Sequence, residues 1–203
     1  MALTPVSRET AERLDRFVDL FLRWQDRTGL VASSTVPELW TRHVADSLQL
    51  LDLAPKARVW VDVGSGGGFP GFVIACALAD DPGAAVHLVE SNVKKAAFLR
   101  EAQRVTGAPA TIHCTRVEAL SLSPERVDVV CARAVAPLGS LLDLCFPLMQ
   151  QTKALGLFPK GQNAETELEQ AAQAWGMRSN LVKSRTNPKA SIVVIRDLQP
   201  KPK

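Results

Sequence analysis

The sequence lacks a Cys-x-x-Cys pair, an apolar run of membrane-spanning length, internal repeats and low-complexity tracts. Its four cysteines, Cys76, Cys114, Cys131 and Cys145, are widely spaced within apolar segments, which excludes a cysteine-clamped metal and predicts reduced core residues. No metal site is expected. The longest uncharged apolar run, Phe69 to Ala79, falls far short of the roughly 20 residues that cross a bilayer. The opening Met1-Ala2-Leu3-Thr4-Pro5 runs at once into Arg8, Glu9, Glu12 and Arg13, so the apolar centre of a signal peptide is missing. A cytoplasmic protein with no membrane partner is expected. Excess charge is also scarce: 24 Lys and Arg against 21 Asp and Glu leave a net charge of +3. Such a balance permits an anionic partner without requiring one.

What the chain does have is enough apolar material for one core. At 203 residues and 46% hydrophobic content, a single domain over 1–203 is predicted, with helices in 1–55 and an α/β core in 56–203. Between Ser7 and Arg27, Leu14, Phe17, Val18, Phe21 and Leu22 recur at helical spacing, and Gly29 stops the pattern. Thr35-x-x-Glu38 then reads as a capping box with Pro37 in the first turn, starting a second helix that runs through Leu51 and is closed by Pro55. From Arg58 onward short apolar runs alternate with helical segments: Arg58 to Val63, Ala85 to Glu90, Ala110 to Cys114, Val127 to Ala132 and Ala154 to Phe158. Val93 to Thr106, ended by Gly107, is the clearest intervening helix. The last two runs, near Met177 to Val182 and Ser191 to Ile195, flank Asn187-Pro188-Lys189 and predict a terminal hairpin. Together these patterns predict two N-terminal helices capping a doubly wound sheet, with its ligand crevice at the carboxyl ends of the strands.

The most specific stretch is Val59-Trp60-Val61-Asp62-Val63-Gly64-Ser65-Gly66-Gly67-Gly68-Phe69-Pro70-Gly71, a strand running into a glycine-rich turn that opens a helix. Glycines there accept positive φ and let a ligand approach the backbone, while the N–H groups of the next helix point at it. A dinucleotide fingerprint counted from Gly64 places Phe69 where its third glycine belongs, and the literal match from Gly66 to Gly71 begins late and contains Pro70. Asp62 inside the strand end suits an amino or cationic group better than a pyrophosphate. Glu90, ending the next strand, can accept both hydroxyls of a ribose. The combination favours S-adenosylmethionine over NAD.

Four motifs then follow in order: Arg42-His43-x-x-Asp46-Ser47-Leu48, the Asp62-to-Gly71 turn, Arg116-Val117-Glu118 and Arg133-Ala134, with Lys160-Gly161 on the fifth strand. With Phe69-Pro70-Gly71 ending the glycine turn, the chain closely resembles the RsmG (GidB) family of bacterial 16S ribosomal RNA guanine-N7 methyltransferases. The resemblance implies a class I S-adenosylmethionine-dependent methyltransferase fold and a guanine target in the 16S rRNA loop near the decoding site. It further implies cofactor contacts from Gly64, Phe69, Val117, Glu118 and Arg133, to which the residues themselves add Asp62, Gly66 and Glu90. The partner is expected to be 16S rRNA in the small ribosomal subunit or a precursor, and the protein a monomer.

Methylation at N7 uses a lone pair that is already exposed, so no general base is required. The task is placement of nucleophile against methyl group, which by itself can lower a barrier by about 7–11 kcal/mol. Positive charge moves onto the guanine, so a cation against N7 would oppose transfer. Arg133 and Lys160 are therefore assigned to guanine O6, RNA phosphates or the cofactor carboxylate. Arg42, His43 and Asp46 lie on one helix, where Arg42 and Asp46 share a face, either as a surface ion pair or as a wall of the substrate site. Arg8, Arg13, Arg16, Arg23, Arg27, Lys183, Arg185, Lys189 and the tail Lys201-Pro202-Lys203 are candidate phosphate contacts. The cofactor motifs alone also admit a methyltransferase of a small molecule or protein, or a non-catalytic ribosome assembly factor.

Overall fold

The structure is a computed structural model that describes residues 4–120, 122 and 126–202; the expectations for Met1 to Leu3 and for Lys203 lie outside them. Helix α1 spans Arg8–Thr28, capped by Ser7 Oγ accepting from Thr10 N–H and ended by Gly29 at φ 59°. A 3-10 turn (Ser33–Glu38), a π turn (Leu39–Ala45) and the short helix α2 (Asp46–Leu53) follow. The predicted second helix is thus three segments. Thr35 does not cap it, because its hydroxyl donates backward to the Ala32 carbonyl at 2.8 Å. Side-chain bonding of this kind competes with regular helix, and Pro37 withdraws an N–H from the same turn.

The core contains β1 (Val59–Val63), α3 (Gly71–Ala77), β2 (Ala85–Val89), α4 (Val93–Thr106), β3 (Ala110–His113), β4 (Val129–Cys131), α5 (Leu138–Thr152), β5 (Leu155–Lys160), α6 (Ala164–Ala174), β6 (Trp175–Lys183) and β7 (Ser191–Pro200). They form a seven-stranded sheet in the order β3-β2-β1-β4-β5-β7-β6. The first five strands are parallel, as the crossover helices require, and β7 runs antiparallel to β5 and β6. The terminal hairpin is present as predicted.

Alternation along the strands assigns the two faces. Trp60 on β1, Val86 and Leu88 on β2, and Cys131 on β4 join α1 to α4 in one buried cluster; Val61, Val63 and Val130 join α5 and α6 in the other. Phe17 of α1 stacks on Phe72 at 4.7 Å and meets Phe69 edge-on at 5.6 Å, so the first helix packs directly over the glycine turn. Cys76, Cys131 and Cys145 are buried as expected, but Cys114 is exposed because it lies just past the end of β3. Among the described residues no helix is long and apolar enough to cross a membrane.

Candidate active site

The carboxyl ends of the parallel strands open into a cleft of about 1120 Å3. Its first half is built on the β1–α3 turn. Gly64, Gly66 and Gly68 hold φ of 72°, 55° and 88°, a region in which a Cβ is strained. A Cβ on Gly64 would also stand 2.6 Å from Val135 Cγ2 across the cleft. Glu90, immediately after β2, accepts from Gly66 N–H at 2.9 Å and from Asn92 N–H at 2.7 Å. Its carboxylate therefore pins the turn to the neighbouring strand and still faces the cleft. Each oxygen has a second lone pair for a ligand hydroxyl.

Asp62 is placed differently from the sequence reading. Its carboxylate is fully buried and absent from the cleft wall, since Asp62 shares the Trp60 face of β1 and points under α3. There it accepts from Gly71 N–H at 3.1 Å, and Cys131 Sγ lies 3.8 Å away. Burial pushes its pKa up to about 6, against the lowering pull of the Gly71 and Ser65 hydrogen bonds. It anchors the first turn of α3.

The second half of the cleft gathers residues distant in sequence. Arg133, just beyond β4, donates to the Arg42 carbonyl at 3.1 Å and to His43 Nδ1 at 2.6 Å, lies 3.5 Å from Asp46 Oδ2, and sits over the Phe69 ring at 5.4 Å. Burial lowers its pKa while Asp46 and Asp62 raise it; a guanidinium stays charged regardless. Thr35 spends its one proton on the Ala32 carbonyl, so it can only accept from His43 Nε2, 2.9 Å away. His43 must then carry its proton on Nε2 and use the Nδ1 lone pair to accept from Arg133. Burial, with the charges of Arg133 and Arg42, brings its pKa down to about 4. At neutral pH His43 is a neutral ring with both nitrogens engaged.

Of the two readings of this helix, the Arg42–Asp46 surface ion pair does not form, and Arg42, His43 and Asp46 all line the cleft. The π turn adds width between the two positions, so Arg42 turns toward Glu38 at 4.0 Å and Asp46 toward Arg133. Asp46 Oδ1 accepts from Gln49, from Thr186 at 2.6 Å and from Ser184 at 3.2 Å, tying α2 to the β6–β7 loop. Lys160, at the end of β5, donates to the Ala136 carbonyl at 2.6 Å and pairs with Glu167 at 2.9 Å. Thr186, Ser184, Gln49 and Glu167 went unnoticed in the sequence, where no motif or spacing marks them.

Val117 and Glu118 occupy a short 3-10 turn beyond β3, off the main cleft wall. Several predicted phosphate contacts are already paired: Arg8 with Glu12, Arg13 with Asp80 through two bonds of 2.7 Å, and Arg185 with Asp52. The described residues hold no group of three or more His, Cys, Asp or Glu arranged to bind a metal.

Residues 10–193 match the profile of the GidB family, described as rRNA small subunit methyltransferase G. The ribosomal RNA small subunit methyltransferase G of Bradyrhizobium sp. (strain BTAi1) is 57% identical over 196 residues, 96% of this chain and 88% of its own length. The protein of the same name from Nitrobacter hamburgensis is 56% identical over 194 residues, 95% of this chain and 74% of its own. In three dimensions the chain is similar to a SAM-dependent methyltransferase from Aquifex aeolicus, with TM-score 0.59, 16% identity and coverage of 79% and 92%. It is also similar to magnesium protoporphyrin IX methyltransferase from Synechocystis, solved with bound SAM, with TM-score 0.56, 15% identity and coverage of 97% and 100%. At such identities the likeness concerns the fold, which is the class I, Rossmann-like methyltransferase fold. With its profile match over nearly the whole chain and relatives above half identity, this chain belongs to the rRNA small subunit methyltransferase G family.

Proposed function

We infer that the protein uses S-adenosylmethionine to methylate N7 of a guanine in the decoding-region loop of 16S rRNA, acting in the cytoplasm as a monomer on the small subunit or a precursor. The observation that carries this reading is the state of His43. The histidine in the cleft wall has one nitrogen donating to Thr35 and the other accepting from Arg133, so it has no lone pair to take a substrate proton. Such a cleft suits a nucleophile that has no proton to lose. Two of its cations are suited too: Arg133 is faced by Asp46 and Lys160 by Glu167, so neither presents an unbalanced charge where the base becomes positive.

The cofactor half fits a nucleoside with an amino-acid tail. Glu90 offers lone pairs for ribose hydroxyls and the glycines keep the wall free of Cβ atoms, while Val117 and Glu118, which the sequence assigns to the adenine edge, stand in the 3-10 turn beyond β3 and off this wall. When bound, S-adenosylmethionine supplies an electrophilic methyl group on a sulfonium. Gly64, Gly66 and Phe69 shape the wall against which it lies, and Arg133, held by His43 and Asp46, orients the acceptor side. The β1/β4 boundary, where strand order reverses, separates the two halves.

The test is mass mapping of 16S rRNA from cells with and without the protein, paired with transfer of labelled methyl to RNA in vitro. One N7-methylguanosine that disappears with the protein is expected. Methyl incorporation into protein, or at another atom of the RNA, would overturn the assignment. Calorimetry should show saturable binding of S-adenosylmethionine and none of NAD.

A further inference from the structure

The loop between β6 and β7, residues 184–190, crosses the fold to form part of the cleft wall: Thr186, Asn187 and Pro188 all line it. The hairpin ladder ends at the Lys183–Ser191 pair, and two further backbone bonds, Ser184 N–H to the Ala190 carbonyl and Ala190 N–H to the Asn187 carbonyl, both at 3.0 Å, close the loop on itself without tying it to the cleft. Three residues of α2 hold the loop there: Asp52 pairs with Arg185 at 2.6 Å, Gln49 bonds the loop backbone, and Asp46 takes the hydroxyls at its centre. Thr186 Oγ1 donates to Asp46 Oδ1 at 2.6 Å, and Ser184 Oγ lies 3.2 Å from the same oxygen and 3.0 Å from Thr186 Oγ1. Arg185 N–H donates to Gln49 Oε1 at 3.0 Å, adding a backbone tie from the same loop to α2. The other Asp46 oxygen faces Arg133 at 3.5 Å, so one carboxylate bridges the loop and the guanidinium. Asn187 Oδ1 is occupied by Lys189 N–H at 3.0 Å, which fixes the orientation of the amide and leaves its NH2 group as a donor at the cleft.

We propose that Thr186 is a positioning residue for substrate: through its bond to Asp46 it holds the β6–β7 loop so that the Asn187 amide can donate to a carbonyl edge of the RNA bases entering the cleft. The inference rests on the RNA-methyltransferase reading above. The bond is short, its acceptor is a carboxylate, and neither partner is fully exposed, so its loss should be felt at the loop. The hydroxyl and amide bonds of the loop touch no residue of the glycine turn, and Asp46 reaches the cofactor half only through Arg133 over the Phe69 ring, so the effect should fall on substrate first.

The experiment measures methyl transfer to small subunits and 16S rRNA from cells lacking the protein, with S-adenosylmethionine affinity measured separately by calorimetry. Thr186→Val keeps the side-chain shape and removes the donor; it should raise KM for RNA about tenfold or more while leaving cofactor affinity unchanged. Thr186→Ser should restore most of the loss. Asn187→Ala should raise KM similarly, and combining it with Thr186→Val should add little, because one acts through the other. Additive losses, an unchanged KM, no rescue by serine, or a parallel fall in cofactor affinity would each overturn the proposal. Wild-type protein that transfers no methyl to either RNA substrate would overturn the functional reading and this inference together.

Discussion

Around the glycine turn the cleft is fastened by backbone N–H groups to carboxylates 9 and 24 residues away, Gly71 to Asp62 and Gly66 to Glu90. Around Arg133 it is fastened by side chains meeting across 90 to 140 residues, Arg133 to His43 and Thr186 to Asp46. The first half is shaped by the same bonds that start α3 and join β1 to β2, so damage there reaches fold and cofactor together. The second half is assembled on a sheet whose ladders do not depend on it. Substitutions there should separate substrate handling from folding more cleanly.

The sharpest test of that contrast is Arg133→Ala. It leaves His43 Nδ1, the Arg42 carbonyl and Asp46 without their shared donor in a largely buried place, a loss on the order of 3–5 kcal/mol for the network. Single-turnover methyl transfer should fall by more than about a hundredfold, while circular dichroism of the native sheet persists. Arg133→Lys should recover little, because an ammonium cannot reproduce the planar fork. Fully active Arg133→Ala protein would erase the distinction between the halves.

The halves also titrate in opposite senses. His43, lowered from 6.5 to about 4, binds a proton more readily in the unfolded chain, so its contribution to stability is full above pH 6.5 and is lost as pH falls through about 4. Asp62, raised from 3.8 to about 6, binds a proton more readily in the folded chain, so its relative contribution is full below pH 3.8 and is lost as pH rises through about 6. Each amounts to about 3 kcal/mol, and between pH 4 and 6 the two oppose each other. Urea unfolding should therefore show Asp62→Asn gaining stability relative to wild type as pH rises across that window, and His43→Gln losing it. Identical slopes for both variants would refute the pairing. The same His43→Gln protein should show a methyl-transfer rate that falls modestly and stays flat through neutral pH, since no base is removed.

Smaller effects probe the glycine half. Glu90→Ala should weaken S-adenosylmethionine binding about ten- to a hundredfold in calorimetry, with Glu90→Gln intermediate because an acceptor for Gly66 or Asn92 survives. Gly64→Ala should cost about 1–2 kcal/mol of stability from its positive φ, with a further clash against Val135. Val135→Ala in the same chain should relieve the clash and leave the backbone strain. A double variant as stable as wild type would show that Gly64 is not needed for its φ.

Much of the first half was legible in the sequence because its determinants are local. A β-branched strand, a glycine-rich turn and a closing acid give one arrangement, and Asn187-Pro188-Lys189 marks the hairpin. Asp62 was misread as a cleft residue although period-two alternation places it on the Trp60 face, toward α3. The second half was legible only as a set of residues. Arg42, His43, Asp46, Arg133 and Lys160 do line the cleft, but a π turn that no spacing rule announces decides that Asp46 pairs with Arg133 and not with Arg42. Thr35, which looks like a helix cap, instead determines which nitrogen of His43 bears the proton. Thr186 and Ser184 are ordinary loop residues until the fold brings them to Asp46.

The separation between Asp46 and Thr186 also orders the making of the protein in time. Chains emerge from the ribosome N-terminus first, at about 5–20 residues per second. The glycine turn, Glu90 and the strands that carry them are complete while Asp46 still waits for its hydroxyl donors, Ser184 and Thr186, 138 and 140 residues downstream. On the proposed division of the cleft, the cofactor half can therefore be assembled on a nascent chain, whereas the substrate wall closes only after the final hairpin has arrived. An enzyme built in that order gains its grip on RNA last.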